Sequence, residues 1–478
     1  MVRQCYNIFM EKSFLFYDLE TSGLSTRDDR IMQFAAQRTD MNLKEIGEPI
    51  NILIKMTNDT LPSPSAVRTT GITPQATQAD GLTEAEFCRY VINEIFTPNT
   101  IIVGYNNVRY DDEMMRHLFW RNFYDPYEWQ WKDGRSRWDM LDVVRMARAL
   151  RPEKIKWPVD DDGNPTNRLE LITKENDIKH EHAHDALSDV FATLAVARLI
   201  KEKQPQLFNY LFKIRGKKEV QKIVNLDNKQ PFVYASGKYG KDRNFITVAF
   251  PLTSGRNGNI VVYDLSQNIE QFLLQKPKDS KTLPVPTPTI KELAFNRCPA
   301  VAPISVLEKN DGWKKIGLDK KEVEKNLKQL LDHPEIAEQI RIAVEEREYK
   351  PEEPKDKNEA TYFELNVENR LYDSFLPDQD RVRCEAIRNA NSNQLADFHP
   401  NFIDERLPEL LLHYKAKNFF DSLTESEQLK WEKYRRARLI HQSKYFLEDL
   451  EKQTNEGMDD FLIEELKLWY ESVQDVDY

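Results

Sequence analysis

The stretch from Ser13 to Gly23, close to the N-terminus, is the sequence feature that most constrains the fold. It opens with a run of aromatic and branched side chains that predicts a buried strand, and its final Ser-Gly pair predicts the turn that ends the strand. Asp18 and Glu20 stand near the strand's end, two positions apart, so both side chains point to one face. Carboxylate oxygens gathered in one pocket are the ligands that hard divalent cations prefer. The stretch therefore predicts a strand that presents two acids to a metal site.

Two acids at this spacing are weak evidence on their own. The chain holds 79 Asp and Glu residues among 478, so acid-x-acid pairs arise by chance roughly a dozen times, most of them solvated or capping a helix. The position at a strand end and two further acid-bearing segments downstream favour the metal site over that alternative.

Length and composition limit the class of protein. The chain of 478 residues is long enough for two or three domains, and 40% hydrophobic residues suffice for packed cores. The sequence has no run of about 18 apolar residues, and residues 1–12 lack an apolar stretch and a cleavage site, so neither a membrane span nor secretion is expected. The four cysteines lie far apart, without the spacing of a zinc site or a disulfide framework. We therefore expect a cytoplasmic protein.

Charge is unevenly distributed along the chain, whose net charge is -11. Between Lys201 and Arg243 there are eleven Lys or Arg residues against four acids, whereas the segment from Glu451 to the end has nine acids against two lysines. A solvated helix and loop surface explains the basic run about as well as a nucleic-acid contact does. The net negative charge therefore does not exclude a nucleic-acid substrate.

Strand and helix patterns alternate up to residue 204, which predicts an α/β domain. Further strands are predicted at Gln33–Arg38, Ile50–Ile54 and Ile101–Gly104, the first two forming a meander with the opening strand. Apolar residues at helical spacing predict helices at Glu84–Phe96, Asp112–Phe123, Trp138–Arg151 and His184–Lys203, and Arg168–Leu171 opens another.

Beyond residue 204 the pattern changes. Strands at Phe232–Ala235, Phe245–Phe250 and Ile260–Tyr263 predict a small β-rich unit. Lys276–Thr289 is expected to be a loop, and Glu345–Lys357 a charged linker. Helical spacing then predicts a C-terminal helical domain with helices at Phe402–Tyr414, Glu425–Arg438, Lys444–Leu450 and Phe461–Tyr470.

Two downstream segments carry further acids. Asp111 follows a predicted strand and lies near a helix start, where an acid also occurs with no role beyond the helix end itself. His184 stands at the start of another helix, and Asp189 lies five positions later on the apolar side of that helix. Burying a carboxylate is costly unless it is paired or ligated, which favours a ligand role for Asp189.

The segment from Phe119 to Trp138 is unusually aromatic, with Arg and Lys residues interleaved. Aromatic side chains alone more often belong to a core than to a binding surface. Aromatics mixed with cations over a weakly periodic stretch are what a groove for single-stranded nucleic acid needs. We interpret the segment as a stacking surface, with a core role as the alternative.

Asp18, Glu20, Asp111 and Asp189, together with His184, have the composition of a two-metal site for phosphodiester hydrolysis. In such a site two Mg²⁺ ions, about 3.5–4 Å apart, activate a water and stabilise the leaving oxygen. The acids hold the ions, and a histidine with a pKa near neutrality takes the proton from the water.

Three short motifs resemble those of the DEDD exonuclease superfamily, in its histidine-bearing subclass: Asp18-Leu19-Glu20-Thr21, Tyr110-Asp111 and His184-x4-Asp189. Longer stretches resemble the bacterial exodeoxyribonuclease I family, most strongly between Phe14 and Pro205. These stretches are Gly104–Arg109, Arg121–Tyr127, Ser136–Asp139, Arg168–Glu170, Ala183–Ala186 and, near the C-terminal part, Leu371–Asp373.

The resemblance implies a 3′→5′ exonuclease that degrades single-stranded DNA processively to 5′-mononucleotides, in DNA repair and recombination. It implies two Mg²⁺ ions as cofactor, with Mn²⁺ as a substitute. The implied architecture is an RNase H-like exonuclease domain with a mixed sheet (residues 1–203), an SH3-like β-rich domain (204–350) and a C-terminal α-helical domain (351–478). We expect a monomer.

Family motif positions also imply contacts to substrate and partner. Arg168 is the candidate to hold a phosphate near the metals, and the implied DNA contacts are Glu20, Arg116, Tyr127, Trp131, Arg145, Arg168 and His184. The family binds the C-terminal tail of the single-stranded DNA-binding protein in a basic pocket, which Arg151 and Tyr210 match. The affinity expected for that tail is reduced, because three positions where family members carry basic residues hold Gln230, Glu308 and Leu331.

Three other functions fit parts of the pattern. An oligoribonuclease or RNase T-like enzyme would be a short chain without the two later domains. A catalytically inactive DNA-binding member is expected to have lost acids or His184, and a structural scaffold leaves the converging carboxylates unexplained.

The proposed linker also suggests how the last domain acts. A helical domain joined through a flexible segment is expected to pack across the DNA and block dissociation between cleavages. Truncation after about Arg347 should then leave cleavage of short oligonucleotides intact and make degradation of long strands distributive.

Overall fold

The computed structural model describes residues 11–180, 185–269, 289–345, 362 and 364–474. The described residues form an N-terminal unit on one sheet (13–203), a middle unit on a second sheet (205–345) and a C-terminal helical unit (364–474). This succession of a mixed sheet with helices, a β-rich unit and a helical unit confirms the predicted fold class.

The first sheet is made of β1 (Ser13–Thr21), β2 (Ile31–Thr39), β3 (Ile50–Leu53), β4 (Thr100–Gly104) and β5 (Ser136–Asp139). The strands lie in the order β3-β2-β1-β4-β5. The first three are antiparallel neighbours, as the meander prediction requires, and β4 and β5 run parallel to β1. The carboxyl ends of β1, β4 and β5 therefore lie at one edge of the sheet.

β1 separates two hydrophobic cores, because its side chains alternate between the faces of the sheet. Phe14 and Phe16 pack into one core, and Leu15, Tyr17 and Leu19 pack into the other. The two acids continue the first series toward the carboxyl edge.

Helices flank this sheet in the described N-terminal unit, and α-helix starts follow local sequence signals. Thr83 and Glu86 form a capping box, and Asp139 and Asp185 each accept a backbone N–H bond at a helix start. The helices are α1 (Pro64–Thr70), α2 (Pro74–Asp80), α3 (Glu84–Tyr90), α4 (Asp111–Arg121), α5 (Met140–Leu150), α6 (Leu169–Glu175) and α7 (Ala186–Lys203). Short turns add a π-helix at Val91–Ile95 and 3₁₀ helices at Asn107–Arg109, Glu128–Gln130 and Lys132–Gly134.

The helix predicted over Trp138–Arg151 is wrong at its start. Trp138 and Asp139 belong to β5, where they pair with Val103 and Gly104, and the helix begins at Met140. The apolar spacing of the segment is compatible with a helix, but the strand is stabilised by a pairing partner about 35 residues earlier, which local periodicity does not register.

The second sheet is antiparallel, and its first three strands confirm the predicted β-rich unit. It is made of β6 (Phe232–Ala235), β7 (Ile246–Ser254), β8 (Ile260–Asp264), β9 (Ile290–Leu293) and β10 (Ala300–Pro303). The strand order is β10-β6-β7-β8-β9. The helices of this unit are α8 (Pro205–Ile214), α9 (Lys217–Ile223), α10 (Gly312–Lys315), α11 (Lys320–Asp332) and α12 (Glu335–Glu345), with 3₁₀ turns at Lys241–Arg243, Arg256–Gly258 and Ile304–Glu308.

The C-terminal unit is helical, as predicted, but two predicted helices are one. The helices are α13 (Asp378–Asn389), α14 (Ser392–Ala396), α15 (Leu407–Asn418), α16 (Glu425–Asn455) and α17 (Asp460–Gln474), with 3₁₀ turns at Val367–Asn369 and Phe420–Ser422. Residues 425–455 contain no Pro or Gly that would interrupt a helix. The prediction broke α16 at residues 439–443, where the polar run His441-Gln442-Ser443 interrupts the apolar spacing.

The three units share hydrophobic cores. One core joins the N-terminal sheet to the middle unit. A second contains Met32 of β2 together with Leu439 and Phe446 of α16. A third contains Trp120 of α4 together with Leu410 of α15. The C-terminal unit is thus packed onto the first unit through buried apolar side chains.

Two expectations fall outside the described residues except at one end each, namely the loop over 276–289 and the linker over 345–357. Cys88, Cys298 and Cys384 are buried free thiols. Among the helices that the structure describes, none has the combined length and apolar character of a membrane span.

Candidate active site

Asp18 and Glu20 lie on one face of β1, as the strand period predicts. They stand opposite Ala35 and Gln33 of β2, and the register shifts between Glu20 and Thr21. A shift of this kind bends a strand and redirects its side chains near a sheet edge. The acids are therefore presented by the last part of a strand that is otherwise buried.

Asp189 comes from the first turn of α7, the helix that packs along β1. The Asp185 carboxylate accepts a hydrogen bond from the Ser188 amide at 3.0 Å, which caps the helix. Oxygens of Asp18, Glu20 and Asp189 lie within 4.8 Å of one another. The structure thus brings together three of the four predicted acids.

Asp111, the fourth predicted acid, is the first residue of α4 and is buried. It is outside the converging triplet, yet its charge is close enough to raise the pKa of Asp18 and of Glu20. Burial raises the pKa of Asp111 itself, and backbone hydrogen bonds at Asp111 and Leu19 offset part of that rise. The start of α4 therefore adds a fourth carboxyl group to the same electrostatic site.

These carboxyl groups repel one another. Burial, followed by the charges of Asp111, Glu20 and Asp189, raises the pKa of Asp18 well above its usual value. Burial, Asp189, Asp111 and Asp185 together raise the pKa of Glu20 to about 8. A bound cation would relieve this repulsion. The all-oxygen donor set fits a hard divalent ion whose other ligands are water and substrate phosphate.

The predicted catalytic histidine, His184, lies outside the described residues, so its place beside the acids stays a prediction. A different histidine, His180, places its Nε2 2.6 Å from Oδ1 of Asp189. Oγ1 of Thr173 in α6 lies 3.1 Å from His180 Nδ1 and helps to orient the ring. Sequence reasoning missed His180, because histidines stand at 180, 182 and 184 and spacing alone does not tell which one reaches an acid.

A cavity of about 410 Å³ opens beside Asp18 and Asp189. Two predicted DNA contacts, Arg145 and Arg168, line it. Arg145 is paired with Asp142 at 2.5 Å, whereas Arg168 is 68% exposed and pairs through Nε with Glu170 at 2.5 Å. The remaining lining residues are Tyr105, Asn106, Leu141, Asn167, Leu169, Glu170 and Phe245.

Phe245 is a lining residue that sequence reasoning placed elsewhere. It was predicted to open a strand, but β7 begins at Ile246 and Phe245 is the last residue of the preceding loop. No local signal marks it, because it lines the cavity from the middle unit, far from Asp18 and Asp189 in the sequence.

Three further predicted DNA contacts, Arg116, Tyr127 and Trp131, are not among the residues that line this cavity. Arg116 is buried, donates to Gln130 Oε1 at 3.0 Å, and holds its guanidinium carbon 5.6 Å from the Tyr127 ring centre. Trp131 is 61% exposed. Phe375 of the C-terminal unit is 81% exposed, and its ring lies 6.1 Å from that of Tyr127. Tyr127 and Phe375 thus form a partly exposed aromatic pair that joins two units.

Most of the aromatic segment is core, which corrects its interpretation as a stacking surface. Five of its rings are at most 2% exposed: Phe119, Trp120, Phe123, Trp129 and Trp138. They fill the cores on either side of the sheet and the contact with the C-terminal unit. These five residues therefore have a core role, which was the alternative to a stacking surface.

The candidate contacts for a protein tail are partly exposed. Arg151 follows α5 and Tyr210 lies in α8, and both donate hydrogen bonds to backbone carbonyls. Among the positions that depart from the family pattern, Gln230 and Leu331 are exposed, and Glu308 forms an exposed ion pair with a lysine.

Comparison with known proteins supplies independent findings. Three family models match consecutive parts of the chain: Exonuclease over residues 15–197, Exonuclease I SH3-like domain over 215–345 and Exonuclease I C-terminal domain over 365–473. The protein named Exodeoxyribonuclease I from Haemophilus influenzae (strain Rd) is 42% identical over 442 residues, which cover 89% of this chain and 90% of that protein. Its namesake from Escherichia coli (strain K12) is 40% identical over 441 residues, with coverages of 89% and 90%.

Solved structures agree over nearly the whole chain. E. coli exonuclease I in complex with a dA16 oligonucleotide superposes with a TM-score of 0.89 and 36% identity, over 97% of this chain and 100% of that one. A zinc-bound E. coli exonuclease I–ssDNA complex gives a TM-score of 0.88 and 34% identity, with coverages of 97% and 100%. A structure described as SSB/exonuclease I with the inhibitor CFAM gives 0.86 and 34%, with the same coverages.

Proposed function

The chain belongs to the exodeoxyribonuclease I family, and from this premise we propose that it removes nucleotides from the 3′ end of single-stranded DNA. It is a hydrolase with an exonuclease domain. The relatives bound to dA16 and to ssDNA support the substrate. Processive degradation to 5′-mononucleotides, action in DNA repair and recombination, and a cytoplasmic location complete the proposal.

One observation carries the chemical part of this proposal. Three carboxyl groups from β1 and α7 converge within 4.8 Å, and an arginine-lined cavity of about 410 Å³ adjoins them. The acids offer ligands for cations, and the arginines offer donors for phosphate oxygens. A phosphodiester substrate offers oxygens both to cations held by the acids and to the arginine donors.

Asp18, Glu20 and Asp189, with Asp111 beside them, would hold two divalent ions, Mg²⁺ with Mn²⁺ as a substitute. When bound, such ions activate the attacking water and stabilise the leaving oxygen of a phosphodiester. The zinc-bound relative supports dependence on a divalent metal. The raised pKa values of Asp18 and Glu20 support a site in which cations replace protons.

Arg168 is the residue proposed to hold a phosphate. Its pair with Glu170 is largely exposed, and exposed pairs contribute only about 0–1 kcal/mol. The guanidinium can therefore turn to a phosphate with little loss and form two parallel hydrogen bonds. Arg145, which is paired with Asp142, is better suited to hold the strand in a fixed orientation.

Proton transfer is assigned to His184, and support of the acids to His180. An imidazole with a pKa near neutrality suits a general base for the attacking water. The hydrogen bond from His180 to Asp189 would orient that carboxylate toward the substrate, as groups behind metal ligands commonly do.

Degradation of 5′-end-labelled single-stranded DNA tests the proposed function. With Mg²⁺, we expect products that shorten from the 3′ end, while matched RNA and blunt duplex stay largely intact. Asp18→Asn should abolish cleavage, whereas Asp161→Asn, the same change at an exposed turn residue, should not. Wild-type turnover by Asp18→Asn, or a preference for RNA, would contradict the proposal.

We retain the single-stranded DNA-binding protein as a proposed partner of lower affinity, with Arg151 and Tyr210 as contacts. The SSB/exonuclease I relative supports the partnership. Fluorescence anisotropy with a labelled C-terminal tail peptide should show weaker binding than the E. coli enzyme shows, because Gln230, Glu308 and Leu331 lack positive charge. Equal affinity would mean that these positions do not contribute. The domain boundaries at 203 and 350 and the monomeric state also remain proposals.

A further inference from the structure

The catalytic cavity has a wall that comes from the middle unit. Residues 236–245 form the loop between β6 and β7, and Phe245 at its end lines the cavity with Asp18 and Asp189. The Phe245 side chain is half-buried. The catalytic chemistry assigned above gives it no role, although its ring is the largest apolar surface that the middle unit contributes there.

Hydrogen bonds hold this loop in place. The Phe245 amide donates to the Gly240 carbonyl at 3.1 Å, and the Ser236 amide donates to the Phe245 carbonyl at 2.8 Å. Lys241 Nζ lies 2.7 Å from Asp160 Oδ2 of the N-terminal unit. The ring is therefore positioned by bonds within the loop and by an ion pair across the two units.

The backbone of the loop is unusual at the ring. Asn244 and Phe245 both have left-handed backbone angles, with φ of 53° and 61°. A bulky residue seldom adopts this conformation, and it persists where the surrounding structure enforces it, often at binding sites. This backbone turns the Phe245 side chain out of the strand direction and toward the cavity.

Arg145 connects the loop to the arginine-lined part of the cavity. Its guanidinium carbon lies 5.8 Å from the centre of the Phe245 ring. Gly237 approaches so closely that a Cβ at that position would lie 2.6 Å from Arg145 Nη2. The guanidinium is thus enclosed by the loop on two sides, and the phenyl ring beside it offers a flat apolar face next to a cation.

We propose that Phe245 stacks on the base of the 3′-terminal nucleotide and so helps to select an unpaired 3′ end, an inference that rests on the proposed function. A scissile phosphate beside Asp18 and Asp189, where divalent ions would hold it, leaves the terminal nucleotide in the adjoining cavity, whose volume of about 410 Å³ suits a small molecule. Stacking tolerates any base, because every base has a π-face. A paired terminal base must first leave its partner to reach the ring.

The test compares two oligonucleotides that differ only at the 3′ end, one with a terminal thymidine and one with a terminal abasic residue. Release of the first nucleotide is measured as kcat/KM with Mg²⁺. Phe245→Ala should lower kcat/KM on the thymidine substrate about 5- to 150-fold, the equivalent of one stacked base. On the abasic substrate the variant should match the wild type. Phe245→Tyr should restore activity, and Phe461→Ala, which removes a 64% exposed ring in α17, should change nothing.

The possible results separate this inference from the proposed function. An equal loss on both substrates, or no loss on either, would overturn the stacking role. If thermal unfolding shows that Phe245→Ala is misfolded, Phe245→Leu replaces it, because leucine keeps side-chain volume but has no π-face. The expected results on the two substrates are the same as for Phe245→Ala. If the wild type shortens no single strand at all, the proposed function itself fails. If it does so and Phe245→Ala is indistinguishable from it, the inference alone fails.

Discussion

Among single residues, the carboxyl groups of the candidate active site have the clearest consequence for stability. Burial, together with Asp189, Asp111 and Asp185, raises the pKa of Glu20 to about 8 from its ordinary 4.5. The folded state therefore binds this proton more tightly than the unfolded chain does. It follows that the free energy of unfolding of the metal-free protein falls as pH rises between about 4.5 and about 8. A bound divalent ion should counteract this loss.

Glu20→Gln is expected to flatten this pH dependence. Urea unfolding in EDTA at pH 5 to 8 should show the wild type losing stability with rising pH and the variant losing less. At pH 8 the variant should be more stable by about 1 kcal/mol, roughly the value of one pKa unit. Glu86→Gln at the exposed α3 capping box is the matched control and should keep the wild-type slope. Equal slopes in wild type and Glu20→Gln would contradict the repulsion at the site.

His184→Ala should lower turnover about 10²–10⁴-fold while Mn²⁺ binding, measured by calorimetry, persists, because the proposed general base is lost and the proposed ligands remain. Raising the pH supplies hydroxide and should recover part of the rate. His180→Ala is the comparison variant, and it should instead weaken metal affinity by about 10–100-fold, since His180 supports Asp189. If higher pH recovers nothing in His184→Ala, a structural role becomes the better explanation.

A residue of the site could be predicted when the sequence around it alone indicates its position. Asp18, Glu20 and Asp189 were predictable because strand and helix periods place them on defined faces near element ends. Phe245 was not, because it lines the cavity from the middle unit. His180 was not, because spacing alone does not tell which of the histidines at 180, 182 and 184 reaches an acid. Whether a ring of the aromatic segment lies in a core or at a binding surface depends on its burial. Burial depends on tertiary packing, which composition does not reveal.

Strands and helices were likewise predicted correctly where the local sequence indicates them, and less well where they depend on tertiary contacts. β1 was predictable from its own pattern, whereas β5 forms beside β4, and its last two residues, Trp138 and Asp139, were predicted as the start of a helix. The prediction divided α16 at residues 439–443, where the polar run His441-Gln442-Ser443 interrupts the apolar spacing. A long helix therefore gives a weak periodic signal where a run of polar residues interrupts its apolar face.

The buried arginine at the middle of α16 holds this helix to the N-terminal unit. Arg438 is fully buried, and its Nε donates to the Asp59 carbonyl at 2.8 Å and lies 3.5 Å from Asp59 Oδ2. Burial alone would raise the pKa of Asp59, but Lys417, Arg438 and Arg30 hold it well below its usual value. The pair belongs to a network of buried charges that a missing partner would leave uncompensated.

Arg438→Met should therefore destabilise the protein by about 3–5 kcal/mol, the usual cost of breaking a buried pair. Arg436→Met, two residues earlier on the same helix, is the matched control. That side chain is 63% exposed in its pair with Glu432, and such pairs contribute at most about 1 kcal/mol. Guanidinium unfolding measures both. Similar small losses in the two variants would mean that Asp59 is sufficiently paired without Arg438.

At the scale of the whole molecule, the shared cores revise the expectation that the last domain is a detachable clamp. Met32 and Leu61 of the N-terminal unit pack against Leu439, Phe446 and other residues of the C-terminal helices. Each fully buried side chain of this kind contributes about 1.5–3 kcal/mol, and domains are stable by only about 5–15 kcal/mol. The C-terminal unit is thus part of what keeps the exonuclease unit folded.

Truncation after Arg347 should accordingly yield a poorly folded, aggregation-prone protein instead of a distributive enzyme. Dye binding to exposed apolar surface and loss of cooperative thermal unfolding would report this. Phe375→Ala, which alters only an exposed ring beside Tyr127, is the better variant for testing processivity in a trap-challenge assay. A soluble truncated chain that still cleaves short oligonucleotides would restore the clamp hypothesis.

The packing of α16 onto β2 also bears on the order in which the protein is made. Met32 and Leu61 leave the ribosome long before Leu439, which shares their core, so this apolar surface has no partner for most of synthesis. The interval between residues 61 and 439 is roughly 20–80 s at about 5–20 residues per second. The nascent chain is therefore expected to need a chaperone during this interval. Its nuclease site should also lack the Phe245 wall until the middle unit has emerged, which delays activity toward nucleic acid near the translating ribosome.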